Sequence, residues 1–232
     1  MLPWIQLDSA AIPGGGGDLR LKQRGREFSI MLGANELMNS RLSGSEEALA
    51  TLAWQRIAPR KAPHLLIGGL GMGFTLRAAL SILPLDGRIT VAELVPEVVD
   101  WGRGPMAEIY AGSLDDPRVD IHVGDVGALI RASTNCFDAI LLDVDNGPDG
   151  LTRASNDSLY DAAGLLASRA ALTKGGVLAV WSSGPDAAFT RRLRQAGFAG
   201  EEIATRANGK RGGARHVIWM ATESGAAADP KC

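Results

Sequence analysis

Unbroken apolar runs, each the length of one strand and each followed by a helical pattern, constrain this chain more than any other feature. His64 to Gly68 (HLLIG), Asp138 to Asp143 (DAILLD) and Gly176 to Trp181 (GVLAVW) show no alternation of apolar and polar residues. A strand of that kind must be covered on both faces, which is the environment of a parallel sheet with helices on each side.

The surrounding pattern fits. Ser45-Glu46-Glu47 opens a helix, with Ser45 as N-cap and two carboxylates at the positive end of the dipole, and the run through Trp54 and Ile57 stops before Pro59. Strand and helix then alternate: 64–68 and 74–82, 88–93 and 97–108, 119–123 and 126–132, 138–143 and 159–172, 177–181 and 187–196. Two closing strands, 202–205 and 216–222, are joined by a loop with no room for a crossover helix, so they must pair antiparallel. The order predicts an α/β, Rossmann-like fold of the class I methyltransferase type, with a seven-stranded, mostly parallel sheet and a C-terminal antiparallel hairpin. Ahead of it, 4–7, 19–22 and 27–32 alternate and are broken by the run Gly14 to Gly17 and by Gly25, the signature of a small antiparallel β segment. The glycine run is read as its tip. The expected division is 1–42 for the hairpin segment, 43–224 for the Rossmann domain and 225–232 for a flexible tail.

Composition narrows the function classes. Of 232 residues 46% are hydrophobic and 22% charged, with a net charge of -2, which suits one sizeable core and gives no global reason to expect nucleic acid. The basic stretches Arg191-Arg192-Leu193-Arg194 and 206–215 read as a solvated helix face and a loop. No apolar run reaches membrane length, so no membrane partner is expected. His64, His122 and His216 are not paired at ligand spacing, which argues against a metal site. Cys136 and Cys232 stand in unrelated contexts, and MLPWIQLDSA lacks the basic and apolar regions of a secretory leader. A reducing cytoplasm is the expected compartment.

Four elements carry chemistry. Gly69-Leu70-Gly71-Met72-Gly73 follows a strand and opens a helix, where glycines let the backbone turn tightly and bring free N–H groups to a nucleotide. Glu93 ends the next strand, twenty residues after Gly73, where an acid can accept from both ribose hydroxyls; Leu94 follows it. Asp125 and Val126 follow the third strand, where adenosylmethionine-type enzymes set a carboxylate and backbone N–H groups against adenine, although Asp125 is equally a helix N-cap. Asp143 ends the central strand and leads into Asp145, Asn146 and Asp149, a segment that also reads as ordinary turn chemistry.

With these elements in order, the chain resembles the spermidine synthase-like branch of the adenosylmethionine-fold transferases. The resemblance runs from about Glu27 to Thr222 and includes Val91-Ala92-Glu93-Leu94-Val95-Pro96-Glu97, Leu114-Asp115-Asp116-Pro117-Arg118-Val119 leading to Gly124-Asp125, and Lys174-Gly175-Gly176-Val177-Leu178. It implies an S-adenosylmethionine-type donor held by Gly69, Gly71, Gly73, Glu93, Leu94, Asp125, Val126 and Asp143, and a homodimer built on the β segment and first helix. True aminopropyltransferases of the branch carry an Asp-Ser-Ser-Asp-Pro-type loop, but three residues after Asp143 stands Asn146. They also carry a tyrosine and a histidine after the acidic pair of the first helix, where this chain reads Glu47-Ala48-Leu49-Ala50-Thr51. An amine dication needs carboxylates to replace its hydration, so these departures argue against a polyamine site.

The resulting expectation is an S-adenosylmethionine-dependent methyltransferase acting on a small N or O nucleophile, with Asp143 as base or donor anchor. Glu46, Glu47, Asp145, Asn146 and Trp181 are the expected acceptor residues, in a pocket walled by 39–47 and Trp181-Ser182-Ser183. The alternatives are aminopropyl transfer from decarboxylated S-adenosylmethionine and a binding protein without turnover.

Overall fold

The computed structural model describes residues 2–57, 59–144, 147–148, 158–209 and 212–224. An antiparallel meander comes first: β1 (Ile5–Ala11), β2 (Asp18–Arg24), β3 (Glu27–Leu32) and β4 (Asn35–Asn39), hydrogen-bonded in chain order. Three of these strands follow the alternation in the sequence. β4 does not, because Asn35-Glu36-Leu37-Met38-Asn39 places its two apolar residues side by side; pairing with β3, not its own pattern, makes it a strand.

From α1 (Gly44–Ile57) the chain alternates through β5 (His64–Gly68), α2 (Phe74–Ile82), β6 (Arg88–Glu93), α3 (Pro96–Arg103), α4 (Ala107–Tyr110) and β7 (Val119–Val123). It continues with α5 (Val126–Arg131), β8 (Phe137–Leu142), α6 (Ala162–Ala171), β9 (Leu172–Ser182), α7 (Ala187–Gln195), β10 (Phe198–Arg206) and β11 (Arg215–Glu223). These strands form one seven-stranded sheet in the order β10-β11-β9-β8-β5-β6-β7. Strands β5 to β9 pair in parallel, and β11 runs antiparallel to both β9 and β10. The expected Rossmann-like sheet and its closing hairpin are therefore present.

Two local expectations are corrected. The single helix over 97–108 is two, because Pro105 lacks an N–H and keeps Gly104 from the helical region, so α3 stops at Arg103. Ser45 does not cap α1. The helix begins one residue earlier, the Glu47 N–H donates to the Ser43 carbonyl, and the buried Ser45 hydroxyl turns to side chains instead.

The continuous apolar strands feed two cores, as period-two geometry requires. Leu65, Ile67, Val91, Leu141 and Ala179 face one cluster, while Leu66, Ala92, Ile140, Leu142 and Val180 face the other. The first cluster also takes Leu19, Leu21, Phe28 and Ile30, so the N-terminal meander packs on the same core as the large sheet. Among the described residues no helix is long and apolar enough to cross a membrane.

Candidate active site

In the large sheet β6 and β8 flank β5, and the winding direction reverses between β5 and β8. Open α/β sheets bind ligands in the crevice outside the carboxyl ends of their strands at such a point. A cleft of about 830 Å³, including the solvent at its mouth, lies there. Gly69, Gly71, Glu93, Leu94, Asp125, Val126 and Asp143 line it.

The glycine turn is shaped by what surrounds it. At Gly69 (φ 86) an added Cβ would stand 2.5 Å from the Asp143 carbonyl oxygen, so the loop and the end of β8 approach as closely as backbones can. At Gly73 (φ 75), the residue before α2, an added Cβ would enter the Tyr110 ring at 2.6 Å, which places Gly73 in packing and not in the cleft. The Tyr110 hydroxyl in turn donates to the Gly71 carbonyl at 2.6 Å.

Glu93 ties the crevice together. One carboxylate oxygen accepts from the Leu70 N–H and the other from the Val95 N–H, each at 2.9 Å, and its own carbonyl accepts from the Gly124 N–H. Burial pushes its carboxyl above the usual range, against the opposing pull of these backbone N–H groups. The Leu94 and Gly71 N–H groups also face this carboxylate, so ribose hydroxyls would share its roughly four acceptor positions with the backbone.

Asp125 does what an N-cap does, accepting from the Ala128 N–H, while still lining the cleft. Asp143 accepts a 2.7 Å hydrogen bond from the Thr75 hydroxyl. Burial, and then the nearby Glu46 carboxylate, push its pKa up to about 7. Glu46 is itself raised, first by burial, with Glu47 adding to it. Among the described residues, neither Asp143 nor Glu46 forms an ion pair.

The expected acceptor residues scatter. Glu46 stands behind Asp143 instead of lining the cleft, and Glu47 is exposed on α1. Trp181 is half-buried and packs edge-on against His216, with ring centroids 4.8 Å apart, away from the cleft lining. Asp145, Asn146 and Asp149 lie outside the described residues. Sequence reasoning missed the roof: Ile12, Leu19, Ile30, Leu32, Leu37 and Met38 of the meander close the cleft with an apolar surface. The alternation of Leu19 with Leu21 and of Ile30 with Leu32 was the available signal, but it does not say which surface receives that face.

The model of the spermine/spermidine synthase domain matches residues 44–187. The chain belongs to the spermine/spermidine synthase family. Family relatives include the polyamine aminopropyltransferase of Nitrosomonas europaea, 35% identical over 127 residues, which are 55% of this chain and 36% of that protein. Polyamine aminopropyltransferase 2 of Pseudomonas aeruginosa is 33% identical over 141 residues, 56% of this chain and 38% of the relative. The polyamine aminopropyltransferase of Mycobacterium tuberculosis is 32% identical over 160 residues, 64% of this chain and 29% of the relative. The chain thus spans about a third of the length of the curated relatives it matches. The fold is shared with the spermidine synthase of Thermotoga maritima (TM-score 0.74, 19% identity, covering 95% of this chain and 73% of that one). A spermidine synthase in complex with the transition-state analogue AdoDATO aligns similarly (TM-score 0.72, 19% identity, 95% and 72% covered).

These matches overturn the expectation of a methyltransferase using intact S-adenosylmethionine. The family model and the relatives' names favour the aminopropyl alternative, although Asn146 and 48–51 depart from the family pattern.

Proposed function

We propose that this chain transfers an aminopropyl group from decarboxylated S-adenosylmethionine to an amine. The observation that carries the reading is the pair Asp143 and Glu46, two neighbouring acids with no ion-pair partner among the described residues, at the end of the central strand. Such a pair attracts an ammonium and repels a carboxylate. The decarboxylated donor brings only the ammonium, whereas the intact methionine moiety brings both.

In this reading the adenosine lies between the glycine turn and the apolar roof, with Glu93 accepting from its ribose hydroxyls. Asp125 and Val126 border the base. The acceptor nitrogen attacks the methylene carbon next to the sulfonium, the carbon–sulfur bond breaks, and methylthioadenosine leaves. An alkylammonium with a pKa of roughly 10 is protonated near neutrality, so the attacking amine must lose a proton. In this reading Asp143 takes it, and the direction of its pKa, raised by burial and by Glu46, supports that role.

Titration calorimetry with the decarboxylated donor, the intact donor and methylthioadenosine tests the reading. Tighter binding of the decarboxylated donor than of the intact one is expected; the opposite order would sink it.

A further inference from the structure

Strand β11 lies beyond the matched segment 44–187, and it brings His216 against the start of α1. Ser45, fully buried there, has its Oγ 2.7 Å from a Glu46 carboxylate oxygen and 2.9 Å from His216 Nδ1. A serine hydroxyl has one hydrogen to give. Donated to ionised Glu46, it leaves Oγ to accept from His216, which must then carry its proton on Nδ1. With Glu46 protonated the chain runs the other way, from carboxyl to Ser45 and from Ser45 to a bare Nδ1. The tautomer of His216 and the charge of Glu46 are thereby linked through one hydroxyl 171 positions away in sequence.

Burial and the neighbouring acids work against the first arrangement, and the Ser45 bond works for it. Burial pushes the pKa of His216 down, which favours a neutral ring with a single N–H. Trp181 packs against the imidazole at an interplanar angle of 75°, which fixes the ring's direction. The groups facing Glu46 are Glu47 on its own helix, Asp143 after β8, Thr75 on α2, and Ser45 with His216 behind it. Apart from His216 these are acids or hydroxyls, so the ionised carboxylate is favoured by the Ser45 hydroxyl first and by the backbone N–H groups of Glu46 and Ser45 beside it.

We propose that Ser45 and His216 are positioning residues: they hold Glu46 ionised behind Asp143, and that fixed negative charge makes Asp143 a stronger base. The role of the base rests on the aminopropyl reading, but its proton affinity does not.

The test uses the full chain labelled with ¹³C at aspartate carboxyls, with the Asp143 resonance assigned by its loss in Asp143→Asn. Ser45→Ala should lower the Asp143 titration midpoint by about one pH unit, because Glu46 then protonates earlier and no longer repels the second charge; His216→Leu should lower it by less, because Ser45 keeps its hydrogen but loses the N–H that aims it. His216→Asn, which offers an amide N–H where Nδ1–H stood, should keep the parent midpoint. The acid limb of kcat/KM for the amine should move with the midpoint while KM for the donor holds. An unmoved midpoint in folded Ser45→Ala and His216→Leu overturns the proposal. If the midpoint moves and no amine is aminopropylated, the linkage stands and the reading of the reaction falls.

Discussion

The Leu70 amide donates to the Glu93 carboxylate across 2.9 Å, so the glycine turn after β5 and the acid that ends β6 are one unit. The residue proposed to grip the ribose therefore also sets the shape of the loop beneath it. Replacing Glu93 tests both roles. Glu93→Gln keeps the shape but turns an amide donor toward either the Leu70 or the Val95 N–H, leaving one buried donor without an acceptor. It should lose about 1–3 kcal/mol in urea unfolding and weaken donor binding in calorimetry by a comparable amount. Weaker binding with unchanged stability would separate the two roles.

Three glycines with positive φ give a graded series. Gly112→Ala (φ 79, open space around the added carbon) should cost only the backbone strain, about 1–2 kcal/mol. Gly69→Ala and Gly73→Ala add collisions with the Asp143 carbonyl and the Tyr110 ring, and should unfold at clearly lower denaturant. Only Gly69→Ala should also displace Asp143, which the pH dependence of turnover would report.

The raised Asp143 pKa has a signed consequence for stability. The folded chain holds a proton there up to about pH 7, whereas the unfolded chain releases it near the ordinary value of 3.8. Between these limits the folded state binds more protons, so this site's contribution to stability falls as pH rises and is lost above the folded value. Asp143→Asn keeps an oxygen for the Thr75 hydroxyl and removes the buried charge. Its Tm should exceed the parent's above pH 7, converge with it near pH 4, and be accompanied by loss of transfer; scanning calorimetry at several pH values checks this.

The apolar roof is tested at Met38, whose sulfur stands 3.1 Å from where a Gly71 side chain would begin. Met38→Ala should weaken donor binding by about 1 kcal/mol, roughly fivefold, by uncovering apolar surface. Unchanged affinity would mean that the donor does not lie against the meander.

The large sheet was legible because its strands are continuously apolar, so HLLIG and DAILLD left no choice but burial on both faces. Glu93 and Asp143 were legible for a related reason: a carboxylate at the end of such a strand has little else to do. The roof was not, because alternation marks the buried face of β2 and β3 without naming what covers it. The linkage of Ser45 with His216 joins a helix start to a late strand, and nothing in local spacing encodes it. Asn146 was legible as a departure from the family loop, but a missing acid does not by itself say which acids stand near the cleft, as Glu46 beside Asp143 shows.

The most direct measurement of the central claim is product formation from decarboxylated S-adenosylmethionine and putrescine, following methylthioadenosine and the aminopropylated amine together. The account predicts equal amounts of the two, abolished in Asp143→Asn. Absence of both products from a chain that binds the donor, or methylthioadenosine released without any aminopropylated amine, would contradict it.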